Sequence, residues 1–305
     1  MAAPIRQFVH ADLIEEVLPP RYDGLVWHYS SADGLLGILR GQALWASSIT
    51  QLNDTDELEH GLQLIEDTWR ASKKRSIRHR GTISEWIQDA RAKVMGSERL
   101  DSYLVCASTL GQSQTQFLMY GSYAIGINGA YLLEKRPAES PPVAGDAASG
   151  AFDLGWRPVR YEWRAKRAHI DKLFQSLVAL AVIAEAATKH DPDAYEAAIE
   201  CIIRSAIYMK HESFEHEQEV RLYGRAKATN ALVDFRVGKY GIVPYLTVEL
   251  GKELQRIVGR FPVVQINVGP GLGERESAKA GLGIALERLG YEHVRVEDYA
   301  ASRRP

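Results

Sequence analysis

The stretch LVWHYSSADGLLGILRGQALWASS, Leu25–Ser48, changes its hydrophobic period twice within 24 residues. Leu25 to Tyr29 is short, aromatic and β-branched, the character of a strand. Ser31 then has the character of an N-cap, and Leu35, Leu36, Ile38 and Leu39 recur at helical spacing until Gly41 ends the run. Ala43 to Ala46 reads as a second strand. The strand–helix–strand order sets the fold class as α+β and puts the end of the first strand, His28-Tyr29-Ser30, at the mouth of a helix. Two hydrogen-bonding side chains there suit recognition of a ribose or a carboxamide. The alternative is a half-buried histidine that satisfies itself on backbone carbonyls.

Downstream, Asn53-Asp-Thr-Asp-Glu57 is a polar turn feeding a helix with Leu58, Leu62, Ile65 and Trp69 on one face, and Thr82 to Met95 resumes helical spacing. Tyr103 to Ala107 is a strand, Ser113 to Met119 a short helix, and Tyr123 to Ile127 another strand. Pro137 to Gly150 reads as a loop, and Trp156 to Trp163 alternates like a strand. Helices are predicted from about Lys166 to Thr188 and from about Ala194 to Glu212. The first is apolar around much of its circumference, which predicts burial between layers or a homodimer interface. Strands follow at Glu219–Tyr223, Leu232–Val237, Val243–Val248 and Val263–Val268, then a helix from Ser277 to Leu289 and a strand at His293–Val296. The reading is one α+β domain over residues 1–305, with a helical insertion at about 164–212.

Composition limits the function classes. With 46% hydrophobic and 25% charged residues among 305, the chain is expected to fold, and a net charge of −2 excludes a uniformly basic nucleic-acid coat. Two cysteines, Cys106 and Cys201, make no CxxC pair, as in a reducing compartment. No apolar run reaches a membrane span, so the expectation is a cytoplasmic protein without a membrane partner. His211 and His216 have no third ligand at a persuasive spacing, so no metal is expected. Gly269-Pro-Gly271-Leu-Gly273 lies where a phosphate loop would, yet Pro270 removes a donor and Glu274 and Glu276 would repel phosphate. The basic run Arg70, Lys73, Lys74, Arg75, Arg78 and Arg80 is either a solvated helix end or a nucleic-acid contact.

Phe214-Glu-His-Glu217-Gln-Glu219-Val-Arg221-Leu-Tyr223 carries the other chemical signal. In strand geometry Glu217, Glu219 and Arg221 share one face. The row reads as a carboxylate able to stabilise a developing cation, or as a cross-face ion pair. Tyr103 and Tyr120 could wall a cleft for a heterocycle, or pack the core. Asn53 is a helix cap unless it lines that cleft.

In order, HYSSADGLLGILRGQALWASS, LNDTDE, YLVCAST, QFLMYGSYAIGI, FEHEQEVRLY and INVGPG resemble an uncharacterised bacterial domain-of-unknown-function family, over about Leu25 to Arg303. More distantly, His28-x-Ser30 with the helix behind it is similar to the opening of ADP-ribosyltransferases of the His-Tyr-Glu type. That resemblance implies mixed and antiparallel sheets around an NAD cleft, with NAD as substrate. It implies that His28 and Ser30 hold NAD, that Tyr103 is the strand tyrosine, that Tyr120 stacks on nicotinamide and that Glu219 is the catalytic acid. Glu217 is a second candidate acid, and Tyr29, Asn53 and Arg221 complete the candidate binding residues. The implied activity is ADP-ribosyl transfer to a macromolecular acceptor, or NAD hydrolysis, in the setting of a bacterial toxin or antiphage effector. The competing expectations are a non-catalytic nucleotide- or protein-binding module on the same fold and a nucleic-acid-directed protein.

Overall fold

In the computed structural model, Leu25–Ser30 forms strand β1, Ala32–Gly41 helix α1 and Ala43–Ser48 strand β2, the order read from the hydrophobic periods. The structure describes residues 12–49, 55–72, 78–96, 102–131, 133–136, 155–186, 192–226, 232–238, 241–270 and 275–299. The remaining elements are α2 (Thr55–Ala71), α3 (Arg80–Met95), β3 (Ser102–Ser108), α4 (Gln114–Tyr120), β4 (Tyr123–Asn128) and β5 (Leu133–Arg136). After them come β6 (Arg157–Pro158), α5 (Trp163–Ala186), α6 (Pro192–Ile207), β7 (Glu219–Arg225), β8 (Val233–Gly238) and β9 (Gly241–Leu250). The chain closes with α7 (Lys252–Val258), β10 (Val263–Val268), α8 (Arg275–Leu289) and β11 (Arg295–Asp298). The fold is mixed α+β with a mixed sheet, and among the described residues no helix is long and apolar enough to cross a membrane.

These elements group into two compact units, each assembled from three separate stretches of sequence. The helical unit takes Met1–Pro20, Ile49–Asp101 and Arg157–Glu215; the sheet unit takes Arg21–Ser48, Ser102–Trp156 and His216–Pro305. Helices α5 and α6, from the segment read as an insertion, therefore lie in the same unit as α2 and α3.

In the helical unit α6 is the central element and packs against α5, α2 and α3. Its composition fits that place: Ala194, Ala197, Ala198, Ile199, Cys201, Ile202, Ala206 and Ile207 are all buried, so small residues let three helices approach one. Helix α5, expected to be the enclosed one, buries Ile170, Leu173, Leu177, Leu180 and Ala181 on one face and leaves Val182 half exposed. Helix α6 ends at Ile207 rather than Glu212, because the next residues turn to other partners. Lys210 N–H donates to the Arg160 carbonyl, and Arg160 N–H donates to the Tyr208 carbonyl. Trp163, read as the end of a strand, opens α5 instead.

The α2–α6 crossing is close enough that a Cβ on Gly61 would stand 2.5 Å from the Ala206 carbonyl oxygen. Gly61→Ala should therefore destabilise the protein by about 1–3 kcal/mol through overpacking. Gly281→Ala, also inside a helix but with nothing near its Cβ, should stabilise it by about 0.5–1 kcal/mol. Urea denaturation of the two variants tests this: helix propensity alone gives both the same sign, and the packing gives opposite signs.

The sheet unit is organised by β3. Strand β7 pairs antiparallel with β3 along its whole length, from Ser102↔Arg225 to Ser108↔Glu219. A strand has two edges, so β1 (Trp27↔Ser108) and β2 (Ser47↔Leu104, Ser48↔Tyr103) share the other. The sheet thus forks at β3. One arm runs β1–β4–β10–β11, antiparallel except for the parallel last pair, and the other runs from β2 to β9, which also pairs β5 and β8. Val26, Val105, Ile125, Ile127, Val220 and Leu222 form one core with Leu35 and Leu39 of α1 and Leu282 and Leu286 of α8. The opposite face of β1 carries a smaller cluster of Trp27, Tyr29, Phe117 and Ala124.

Candidate functional site

The fork places His28. Beyond the single pair Trp27↔Ser108 the strands β1 and β3 separate, and the His28 imidazole bonds the Cys106 carbonyl of β3 at 3.0 Å through Nδ1. A carbonyl oxygen only accepts, so the partner assigns the ring proton to Nδ1. Burial holds the imidazole pKa below its ordinary value, with the Cys106 carbonyl opposing the drop. At neutral pH the ring is therefore uncharged, and Nε2 carries a lone pair able to accept from a ligand hydroxyl or amide. The backbone-satisfied histidine and the ligand-ready histidine are here the same group, since one nitrogen serves each purpose.

Two residues on, Ser30 ends β1 and its hydroxyl lies on the first turn of α1. A Cβ on Gly34 would stand 2.0 Å from Ser30 Oγ, so that turn must carry glycine for the serine to keep this position. The neighbouring Ser31 caps the helix, its Oγ accepting from Gly34 N–H at 3.2 Å. Gly121, which follows Tyr120, packs its Cα against the Ser30 carbonyl with φ +137°. The Tyr120 side chain is partly exposed at the end of α4, next to this contact.

Tyr29 acts as a brace. Its ring is buried edge-on against Phe117, and its hydroxyl donates to the Leu110 carbonyl at 2.6 Å and accepts from Ser113 N–H at 3.0 Å. Burial pushes its pKa up to about 12. It holds the loop that starts α4, the helix that ends at Tyr120. Tyr103 is fully buried in the main core among Leu and Val side chains, so its ring packs the sheet rather than walling a cleft.

On the other edge of β3, Arg221 grips Glu219 side-on, Nε to Oε1 at 2.7 Å and Nη2 to Oε2 at 2.8 Å, with both side chains buried. Glu217 does not join this row. It ends a 3-10 turn, Glu212–Glu217, and Gln218 has φ +44°, so strand alternation begins only at Glu219. Ser108 pins this corner: its hydroxyl donates to the Glu217 carbonyl at 2.6 Å and accepts from Leu110 N–H at 3.0 Å. Sequence reasoning passed over Ser108, and the only available signal was a hydroxyl at a strand end.

The structure therefore brings His28, Ser30 and Gly121 together at the open end of the fork, and Glu219 with Arg221 one strand beyond β3. Cys106, whose carbonyl holds His28, is the register partner of Arg221, and Ser108 is the partner of both Glu219 and Trp27. Pleating sends Trp27, Ser108 and Glu219 to one side of the sheet. His28 pairs with Ile125 and leaves on the other side, the side of the main core. Asn53 lies outside the described residues, as do residues 73–77 of the basic run and 271–274 of the glycine loop. The described cations of that run are engaged within the protein: Arg70 pairs with Glu66, Arg78 with Glu185 at 2.6 Å, and Arg80 lies over the Trp69 ring.

Compared with protein-family models, with curated proteins and with solved structures, the chain gives no match.

Proposed function

We propose that the sheet unit binds NAD and breaks its nicotinamide–ribose bond, passing ADP-ribose to a macromolecular acceptor or to water. The observation that carries this reading is His28, neutral and fixed in the fork, with Nε2 free of the Cys106 contact and Ser30 and Tyr120 at the same end. Such an imidazole accepts from a ribose hydroxyl, Ser30 adds a donor, and a partly exposed ring offers a stacking surface.

The chemistry asked of the protein is modest. Nicotinamide leaves with the electron pair of the glycosidic bond, and charge builds on the ribose as an oxocarbenium ion, as in glycoside hydrolysis. The acceptor hydroxyl or water then bonds the anomeric carbon and loses a proton. Glu219 supports that charge by holding a ribose hydroxyl. The side-on grip of Arg221 sets the orientation of its carboxylate. Because His28 and Glu219 leave the sheet on opposite sides, NAD would have to pass through the fork to meet both.

The test is nicotinamide release measured by mass spectrometry, with purified protein and NAD, with and without cell lysate. Glu219→Gln should lower release about 10²–10³-fold, and His28→Ala should weaken NAD binding. No nicotinamide release from folded wild type, with or without lysate, would remove the enzyme reading, and equal release from wild type and folded Glu219→Gln would remove Glu219 from the chemistry. The bidentate Arg221 grip favours a second reading, a binding module on the same cleft. It predicts saturable NAD binding by calorimetry with no nicotinamide released.

A further inference from the structure

The β8–β9 ribbon of the sheet unit carries an apolar surface that the proposed NAD site does not use. Strand β8 runs Val233-Asp-Phe-Arg-Val237, and its register on β9 sets Val233 opposite Leu246, Phe235 opposite Pro244 and Val237 opposite Ile242. Directly opposed residues share a face of the sheet, so these six side chains form one stripe. At its inner end Val233 and Leu246 are buried in the main core. The outer end runs past that core: Phe235 is 57% exposed, Ile242 71% and Val237 88%. Single exposed apolar residues are ordinary, whereas three adjoining ones on one ribbon mark a contact surface.

The edge of β8 beside this stripe is open. Among the described residues β8 pairs only with β9. Pro244 has no N–H to give Phe235, and the Phe235 N–H donates to the Asp234 carboxylate, Oδ1 at 2.8 Å, rather than to β9. Phe235 therefore occupies a position whose N–H and carbonyl face away from β9, and alternation gives Val233 and Val237 the same direction. Asp234 and Arg236, between them, leave on the opposite face of the sheet. Each is held there: Asp234 accepts from the Tyr245 hydroxyl at 3.3 Å, and Arg236 donates to Ser47 Oγ at 2.9 Å beside the Trp45 ring.

We propose that β8 is a dimerisation strand, pairing antiparallel with β8 of a second copy of this chain about a two-fold axis at Phe235. The strand is self-complementary in that register. Phe235 meets Phe235 of the second copy, Val233 meets Val237, and Asp234 meets Arg236, the last pair occurring twice by symmetry. The outward N–H and carbonyl groups of Val233, Phe235 and Val237 face their counterparts and exchange backbone hydrogen bonds. The charged pairs fall at the closer, non-hydrogen-bonded positions, where opposite charges are favourable. They also fix the register: a slip of two residues sets Asp234 on Asp234 or Arg236 on Arg236, and in-register parallel pairing does both. The antiparallel arrangement lays the projecting Val237 of each copy beside Val233 of the other, where the core begins. Because β9 takes the second edge of β8, assembly closes at two copies. The inference is independent of the NAD reading, since it involves none of the same residues.

The experiment is sedimentation velocity of the full chain over a concentration series from low micromolar to near-millimolar protein. Wild type should move from the mass of one chain toward that of two. Asp234→Arg and Arg236→Asp should each raise the dimer dissociation constant about tenfold or more, because each sets like charges at both symmetry-related pairs. Mixed one to one, the two variants should dimerise again, since each supplies the charge the other has lost; general damage to the fold gives no such rescue. Phe235→Lys, at an exposed position on the axis, should stay folded by circular dichroism and monomeric, and it decides the matter if the charge variants do not fold. A wild type that keeps the mass of one chain throughout, which would leave the edge to a strand from another protein, would overturn the proposal. So would a dimer that Phe235→Lys leaves intact, or folded charge variants whose mixture associates no better than either alone.

Discussion

Replacing Arg221 by methionine is expected to destabilise the protein by about 3–5 kcal/mol, because it leaves a buried carboxylate without the guanidinium that compensates it. Glu219 and Arg221 are both less than 10% exposed and joined by two hydrogen bonds, so water screens neither charge. The loss should appear in urea unfolding as a lower midpoint at unchanged slope. The double variant Glu219→Gln with Arg221→Met should recover much of the loss, since the penalty lies in the unpaired charge rather than in the missing contact. If the single and double variants are equally unstable, the pair is a packing element and Arg221 does not set the carboxylate. Under the proposed function Arg221 is a positioning residue. A folded Arg221→Lys variant, which keeps the charge and loses the side-on fork, should then lower kcat for nicotinamide release more than it raises KM for NAD.

The acid response follows from a different buried group. Unfolded, His169 takes up its proton near its ordinary value of 6.5; folded, it does so only near 4. The unfolded chain therefore binds more protons between these values. The stabilisation is full above about pH 6.5 and is lost as pH falls toward 4, a change of about 3 kcal/mol. His169→Gln should flatten the fall in unfolding free energy across that window, and an equally steep fall in the variant would assign the acid response to other groups.

The local elements were legible where period and caps agreed. Ser31, the Leu35–Leu39 spacing and Gly41 bound α1 as read, the strands read at β1, β3, β4 and β7 form where expected, and Glu219 and Arg221 share one face of β7. The errors share a cause: long-range partners replaced local preference. Tyr208 to Lys210 continues the apolar spacing of α6 but bonds Arg160, 50 residues earlier. Glu217 carries the alternation of β7, but the left-handed Gln218, whose carbonyl accepts from Thr109 N–H, breaks the strand before it starts. The interleaving of the two units was invisible for the same reason, since each unit closes through pairs about a hundred residues apart, such as Lys93 with Glu196. At the candidate site, His28 and Ser30 could be singled out from residue type and place. The Nδ1 tautomer of His28, the brace formed by Tyr29 and the pin formed by Ser108 depend on carbonyls that no side-chain pattern reports.

Gly121→Ala should be the most damaging single-methyl addition at the site. An added Cβ would stand 2.3 Å from the Ser30 carbonyl carbon, 2.4 Å from its oxygen and 2.5 Å from Ser31 N, all backbone atoms that no side-chain rotation can move aside. The φ of +137° lies where an L residue is strained whatever the space. Overpacking and backbone strain together come to about 2–6 kcal/mol. Relief would have to come from parting α4 from the β1–α1 junction, and that is the contact that keeps Tyr120 beside Ser30. Thermal unfolding gives the stability loss. A second measurement separates this from general damage: Gly61→Ala, which strains the helical unit, should lower Tm and leave the NAD dissociation constant of the folded fraction unchanged. Gly121→Ala should weaken NAD binding even at temperatures where the variant is fully folded. Equal NAD affinity in the two variants would detach Tyr120 and Ser30 from the nucleotide and leave the Tyr-Gly step as a purely structural joint.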